Sequence, residues 1–78
     1  MRNVAWIIKK NGSAIKVTFT SGWPWVKETA SDKILTDGCS GINNGFITLE
    51  PTDEIVMLQN GGEFTPTGPV LGEVKIGG

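Results

Sequence analysis

The chain of 78 residues contains no histidine and only one cysteine, Cys39. Without histidine it lacks the usual proton shuttle near neutral pH and the commonest nitrogen ligand for zinc or copper. A single cysteine cannot close an intramolecular disulfide. These absences exclude most hydrolase mechanisms, and we expect a non-enzymatic protein with no catalytic residues, no cofactor and no metal.

Long hydrophobic runs are also missing. The longest uninterrupted apolar run covers residues 4–8 (VAWII), whereas a helix needs roughly 20 apolar residues to cross a bilayer. The run is also too short for the apolar region of a signal peptide. We therefore expect no membrane association and no secretion by a signal peptide, and a virion or the cytoplasm is the expected location.

Clustered charge of one sign is the third absence. Seven basic residues stand against eight acidic ones, and the basic residues are scattered apart from the pair Lys9-Lys10. Affinity for nucleic acid depends largely on clustered Lys and Arg side chains that release counterions. We therefore expect no nucleic-acid partner.

The residues that are present predict a small domain with a thin core. Apolar residues make up 38% of the chain, which excludes a wholly disordered polypeptide. A chain of this length buries only roughly 60% of the surface that it exposes when unfolded. We expect one domain over residues 1–78, which completes its burial against neighbouring protein chains.

The apolar residues alternate with a period of two, which indicates β-strands. The dipeptide Asn-Gly tolerates the positive φ of a tight hairpin turn and occurs at residues 11–12, 44–45 and 60–61. The first predicted hairpin covers residues 4–20, with a two-residue turn at Asn11-Gly12. One face of this hairpin is predicted to be apolar and the other, with Ala5 and Ile7, to be half-solvated. A one-residue slip would mix the two faces. The predicted apolar row pairs Ile8 with Ile15, Trp6 with Val17 and Val4 with Phe19.

The second half of the chain is predicted to form a meander and a final strand. Its first two strands would pair around the turn Pro51-Thr52-Asp53, and a turn at Asn60-Gly61 would add a third. The predicted strands cover residues 46–50, residues 54–59, the segment around Phe64, and Val70–Ile76.

The segment between the two halves predicts further β-structure. Pro24 cannot donate to a central ladder, so its segment is an edge strand or an extended loop. Residues 34–36 are a short strand candidate, and residues 37–41 have the composition of a loop. The predicted fold is all-β: a small single-domain β-barrel or two-sheet sandwich of six to seven short antiparallel strands, of SH3-like or OB-like size.

The motif Trp23-Pro24-Trp25 is the candidate protein interface. Two indoles at positions i and i+2 of an extended backbone project to the same side, and tryptophan is enriched at energetically dominant interface positions. The alternative is that one or both rings close the end of the core. We expect a contact with a partner chain at Trp23, Pro24 and Trp25.

Three other features have structural explanations. The tetrapeptide 45–48 (GFIT) resembles the nucleic-acid-binding strand of cold-shock domains, but the basic and aromatic residues around that strand are missing, so an ordinary core strand is expected. Acidic groups around Glu50 and Asp53, or around Asp37, lack the spacing of a calcium loop and are expected to be solvated. Cys39 has no histidine to activate it, so a buried, inert thiol is expected.

These observations together predict a structural or interaction module that docks to other protein chains. Self-association, a larger assembly, or both are the expected partners. By fold-level analogy, the specific expectation is a bacteriophage virion component such as a capsid decoration (cement) or tail-associated protein. The alternative is a small SH3-like or OB-like binding domain for nucleic acid or peptide.

Overall fold

A computed structural model describes residues 3–20, 22–39, 41–58 and 62–77. These residues form two β-sheets. No helix is found among them, and thus none that is long and apolar enough to cross a membrane. The prediction of an all-β fold is confirmed. The strands are β1 (Asn3–Ile8), β2 (Ala14–Phe19), β3 (Pro24–Glu28), β4 (Lys33–Asp37), β5 (Gly41–Thr48), β6 (Glu54–Leu58) and β7 (Val70–Ile76).

Sheet A has four strands in the order β6-β1-β2-β7, and sheet B has three in the order β3-β4-β5. All strand pairs are antiparallel except β2 and β7, which run parallel. The prediction of antiparallel strands throughout is therefore wrong for this pair. The parts of the chain that the structure describes contain no closed barrel, because both sheets have open edges.

One hydrophobic core is shared by the two sheets. Leu35 of sheet B is fully buried and belongs to the same cluster as Ile7, Val17 and Phe19 of sheet A. Each sheet thus contributes one apolar face, as the alternation of side chains along a strand allows. The other buried members of the cluster are Ala5, Leu49 and Ile76.

The first hairpin forms as predicted, but its register is shifted by one residue. Ile7 lies opposite Ile15 and Ala5 opposite Val17, whereas Trp6 lies opposite Lys16. The connection is a three-residue loop in which the Gly12 N–H donates to the Lys9 carbonyl, and Gly12 has a φ of 92°. A type I turn followed by a left-handed residue is the usual geometry of such loops.

The register was predicted wrongly because both faces of the hairpin carry apolar residues. The face that packs on sheet B carries Ala5 and Ile7, which were expected to be half-solvated, and the opposite face carries Trp6. Trp6 is nevertheless buried, and the ring of Phe64 lies against it on this outer face. The Phe64 ring lies 6.0 Å from the Trp6 ring, centroid to centroid.

The predicted meander in the second half is wrong. Strand β5 pairs with β4 in sheet B, and β6 pairs with β1 in sheet A, so the turn at residues 50–53 joins the two sheets. Asn44-Gly45 is not a hairpin turn but lies inside β5, and Phe64 lies in an irregular segment. The predicted turn at Asn60-Gly61 lies outside the described residues. The predicted final strand, Val70–Ile76, is confirmed.

Candidate functional site

The Trp23-Pro24-Trp25 motif lies at the start of β3, which is an edge strand of sheet B, as the proline predicts. Pro24 is buried, whereas Trp23 and Trp25 are 48% and 47% exposed. The structure therefore places Pro24 inside and leaves about half of each indole in contact with solvent.

Trp23 rests on the turn between β4 and β5. Its carbonyl accepts a hydrogen bond from the Gly38 N–H at 2.8 Å. A Cβ atom at Gly38 would lie 1.9 Å from Nε1 of the Trp23 ring, so the indole occupies the space that any larger residue would fill. Glycine at position 38 is thus required for this position of the ring.

The buried carboxylate of Asp37 is hydrogen-bonded to the same β4–β5 turn. Asp37, at the end of β4, is fully buried, and its two oxygens accept hydrogen bonds from the Cys39 N–H and the Asn44 side-chain amide, each at 2.6 Å. Its oxygen Oδ1 also lies where a Cβ of Gly22 would be, at 1.6 Å. Buried polar groups with satisfied hydrogen bonds fix local geometry. Asp37 therefore fixes the turn on which Trp23 rests and leaves no room for a side chain at position 22.

Phe46 extends the exposed aromatic surface across the sheet. Trp25 lies opposite Thr36, and Thr36 lies opposite Phe46, so the three residues form one row across β3, β4 and β5. The neighbouring row of Val26, Leu35 and Ile47 packs on the core, and successive residues of a strand point to opposite faces. The row with Trp25 and Phe46 is consequently on the outer face of sheet B.

The middle of this row is covered. Thr36 is only 1% exposed although it lies on an outer face, and Phe46 on one side of it is 52% exposed. The Thr36 hydroxyl donates to the Gly45 carbonyl at 2.7 Å. Thr36, a small residue whose hydroxyl is hydrogen-bonded, thus lies between Trp25 and Phe46 in this row. We call Trp23, Trp25 and Phe46 the aromatic face.

The expectation that Phe46 lies in an ordinary core strand is wrong, because Ile47 packs on the core and Phe46, the preceding residue, therefore lies on the outer face. The pairing of β5 becomes irregular just before Phe46. Phe46 pairs with Thr36, but the next residue of β4, Asp37, pairs with Gly41. Residues 42–45 therefore form a bulge, within which Gly45 has a φ of 108°. The run Asn43-Asn44-Gly45 is the sequence signal for this irregularity, because these residues tolerate such backbone angles.

The expectation for Cys39 is also wrong. Cys39 lies in the β4–β5 turn, two residues after Asp37, and is exposed, not buried. No group of three or more His, Cys, Asp or Glu side chains able to hold a metal ion occurs within residues 3–20, 22–39, 41–58 and 62–77.

The acidic residues of the β5–β6 turn bind a lysine of the first hairpin. The Lys9 ammonium lies 2.6 Å from Oε1 of Glu50 and 2.9 Å from Oδ1 of Asp53. The Asp53 side chain is only 2% exposed, and its Oδ2 also accepts the Glu50 N–H at 2.9 Å. Hydrogen bonds to Glu50, and then to Asp53, raise the pKa of Lys9. The ion pairs therefore attach this turn to the first hairpin, and Asp53 is buried, not solvated as expected.

Comparison of the chain with models of protein families, with curated proteins and with solved structures finds no significant match.

Proposed function

We propose that this protein is a non-enzymatic interaction module that docks to another protein chain through the aromatic face. The observation that supports the proposal is the exposure of Trp23, Trp25 and Phe46 on the outer face of one three-stranded sheet. Exposed apolar patches of this kind usually mark sites of interaction.

The chemistry of these side chains suits a protein partner. Each indole offers a large apolar area and one N–H donor, and tryptophan is among the residues that dominate binding energy at interfaces. Trp25 and Phe46 are separated by one strand, which corresponds to about 10 Å at the usual strand spacing. A partner that inserts apolar side chains on either side of Thr36 would cover both rings.

The aromatic face is also supported from below, which lowers the entropy lost on binding. Gly38 lies directly beneath the Trp23 ring, and Asp37 is hydrogen-bonded to the turn that carries Gly38. The buried carboxylates of Asp37 and Asp53 both have structural partners, which favours a docking role over acid–base catalysis.

The partner chains belong, in this proposal, to a larger assembly. A bacteriophage virion, with this chain as a capsid decoration (cement) or tail-associated protein, is the assembly we propose by fold-level analogy. A small SH3-like or OB-like domain that binds nucleic acid or peptide is the alternative. The scattered lysines do not favour nucleic acid, since phosphate binding needs clustered positive charge.

The test compares the proteins that co-purify with wild type and with Trp25→Ala/Phe46→Ala from the natural source. Met57→Ala is the matched control, because Met57 is 46% exposed and lies in sheet A. We expect the double variant to lose the partner and the control to retain it, while both unfold cooperatively in urea. Unchanged co-purification with the double variant would overturn the proposal.

A second arm addresses the alternative. The wild-type protein is passed over heparin and over single-stranded DNA at low salt, where any phosphate-binding surface is retained most strongly. We expect elution in the void volume. Retention that is lost with salt would favour the nucleic-acid-binding domain instead.

A further inference from the structure

The outer edge of β7 is open for pairing with another strand. β7 is the last strand of sheet A, and none of the other described strands pairs with its outer edge. Six of its seven residues are exposed, including Val70 (53%) and Leu71 (62%). An edge strand of this length with no proline inside it is a template for a further strand.

The hydrogen bonds of β7 show which backbone groups face outward. The Ile76 carbonyl accepts the Thr20 N–H, so Ile76 points its backbone groups toward β2. Because these groups alternate from residue to residue along a strand, Val74 also points inward. Glu73, Lys75 and Gly77 point outward. The Gly77 N–H donates to the Asn44 carbonyl, which leaves the backbone groups of Glu73 and Lys75 for a new partner.

We infer that two copies of this chain pair β7 with β7 in an antiparallel arrangement centred on Val74, which joins their four-stranded sheets into one. The inference goes beyond the proposed function, because it concerns a different surface and identifies the partner at that surface as a second copy.

Charge selects this register among those that the backbone allows. In an antiparallel pair centred on Val74, Glu73 of each copy lies directly opposite Lys75 of the other, and both residues have outward backbone groups. Centring on Glu73 or on Lys75 would instead place like charges directly opposite each other. Opposite charges across a pair of strands stabilise it, and like charges destabilise it. The sequence Glu73-Val74-Lys75 is therefore complementary to itself under two-fold symmetry.

The Glu73 carboxylate is already positioned along the strand. One of its oxygens, Oε2, accepts a hydrogen bond from the Thr18 hydroxyl at 2.9 Å. A carboxylate has room for several donors, so this bond is compatible with a lysine at Oε1. The side chain is thus held on the outer face of sheet A, where Lys75 also lies.

Pairing would also complete the core at this edge. Val74 lies opposite Val17, which is fully buried, yet Val74 itself is 38% exposed. Residues directly opposite in an antiparallel pair share a face. The Val74 side chains of the two copies would therefore contact each other on the core-facing side of the joined sheet. This contact would bury apolar surface of both side chains.

The first experiment measures the mass of the full chain by light scattering and its dissociation constant by sedimentation. We expect a dimer of twice the 8.3 kDa chain mass. Glu73→Lys and Lys75→Glu should each raise the dissociation constant about tenfold, because each replaces two attractive pairs with two repulsive ones. The double variant E73K/K75E should restore dimerisation. Lys27→Glu, which changes the net charge as Lys75→Glu does but lies in sheet B, is the control and should not alter dimerisation.

The second experiment tests the register by oxidation of single cysteines introduced into a Cys39→Ser background. Val74→Cys should form a disulfide-linked dimer, because a symmetric, non-hydrogen-bonded pair brings the two Cα atoms to about 4.5 Å. Val70→Cys is the matched control, an exposed valine on the same strand. It should stay monomeric on denaturing gels, because its symmetry mate is about 26 Å away along the strands.

The outcomes separate this inference from the proposed function. Three results would overturn the inference. The chain could stay monomeric at about 1 mM, or the dissociation constant of the dimer could be unchanged by both charge reversals. The disulfide-linked dimer could also form through Val70→Cys and not through Val74→Cys. The variant Trp25→Ala/Phe46→Ala should dimerise like wild type. If it also retains the co-purifying partner, the proposed function fails while the β7 pairing stands.

Discussion

The hydrogen bond from the Gly38 N–H to the Trp23 carbonyl, 2.8 Å long, extends the β3–β4 ladder by one residue pair beyond Pro24 and Asp37. This hydrogen bond places the indole of Trp23 against Gly38, the glycine of the β4–β5 turn. The position of Trp23 thus depends on a glycine 15 residues further along the chain.

Replacing Gly38 by alanine should move the Trp23 ring without unfolding the protein. The new Cβ would lie within 2.5 Å of three ring atoms, and the half-exposed indole can rotate toward solvent. The chain has three tryptophans, so 5-fluorotryptophan labelling should give three ¹⁹F resonances. We expect the largest shift for the resonance assigned to Trp23 by Trp23→Phe.

Gly72→Ala is the control for this experiment, because a Cβ at Gly72 meets no atom within 4 Å. It should leave the Trp23 resonance in place. If Gly38→Ala leaves all three resonances unchanged, the indole does not rest on Gly38.

The loop of the first hairpin provides a second prediction. Gly12 has a φ of 92°, and a Cβ there would meet no other atom, so the cost of Gly12→Ala is one of backbone conformation alone. We expect a loss of about 1–2 kcal/mol in the free energy of unfolding, measured in urea. Gly12→Asn should cost less, because asparagine tolerates positive φ better than alanine. Equal stability of wild type and Gly12→Ala would contradict the loop geometry.

Much of the fold was predictable from local signals. The period-two pattern predicted β-structure, and the limits of β7 were predicted to the residue. Pro24 predicted an edge strand or an extended loop, and the edge strand is found. Each of these predictions depends on the chain within a few residues, where backbone chemistry restricts the outcome.

The pairing of strands was less predictable, because it depends on distant segments. The first hairpin has apolar residues on both faces, and only the segment with Phe64, which covers Trp6, explains why both can be buried. The strand β7 pairs in parallel with β2, more than 50 residues earlier, and no turn signal marks such a contact.

The candidate site was predictable in part. Trp23 and Trp25 stand out in the sequence, but Phe46 reaches the same face only because β5 pairs with β4 in a register that places Phe46 opposite Thr36. The contributions of Gly38 and Asp37 depend on three-dimensional contacts that their sequence neighbours do not reveal.

The shared core predicts that the two sheets unfold together. Leu35 is fully buried and packs in the cluster formed mainly by residues of sheet A. Leu35→Ala should lower the free energy of unfolding by about 2–5 kcal/mol. Ile42→Ala, at a position that is 58% exposed, should cost less than about 0.5 kcal/mol.

The measurement follows urea unfolding by tryptophan fluorescence and by circular dichroism. Trp6 reports on sheet A, and Trp23 and Trp25 report on sheet B. We expect one coincident transition in wild type and in both variants. Separate transitions for the two sheets, or a Leu35→Ala effect as small as that of Ile42→Ala, would contradict a shared core.

The ion pairs of Lys9 predict a loss of stability at high pH. Hydrogen bonds to Glu50 and Asp53 raise the pKa of Lys9 in the folded state above its ordinary value of 10.5. The folded protein therefore holds this proton more tightly than the unfolded chain does. The stabilisation is fully present below 10.5 and is lost as the pH rises through the higher, folded-state value.

Lys9→Met removes the ammonium and leaves the buried carboxylate of Asp53 without its ion pair. We expect this variant to be less stable than wild type at about pH 8, and the difference to shrink as the pH rises above 10.5 through the raised pKa of Lys9, where wild type also loses the charge. Urea unfolding across this range measures it. Lys10→Met, which removes an exposed neighbouring charge, is the control, since a general effect of net charge would act on both variants alike. A difference between wild type and Lys9→Met that stays constant with pH would mean that the lysine contributes through the packing of its methylenes and not through its charge.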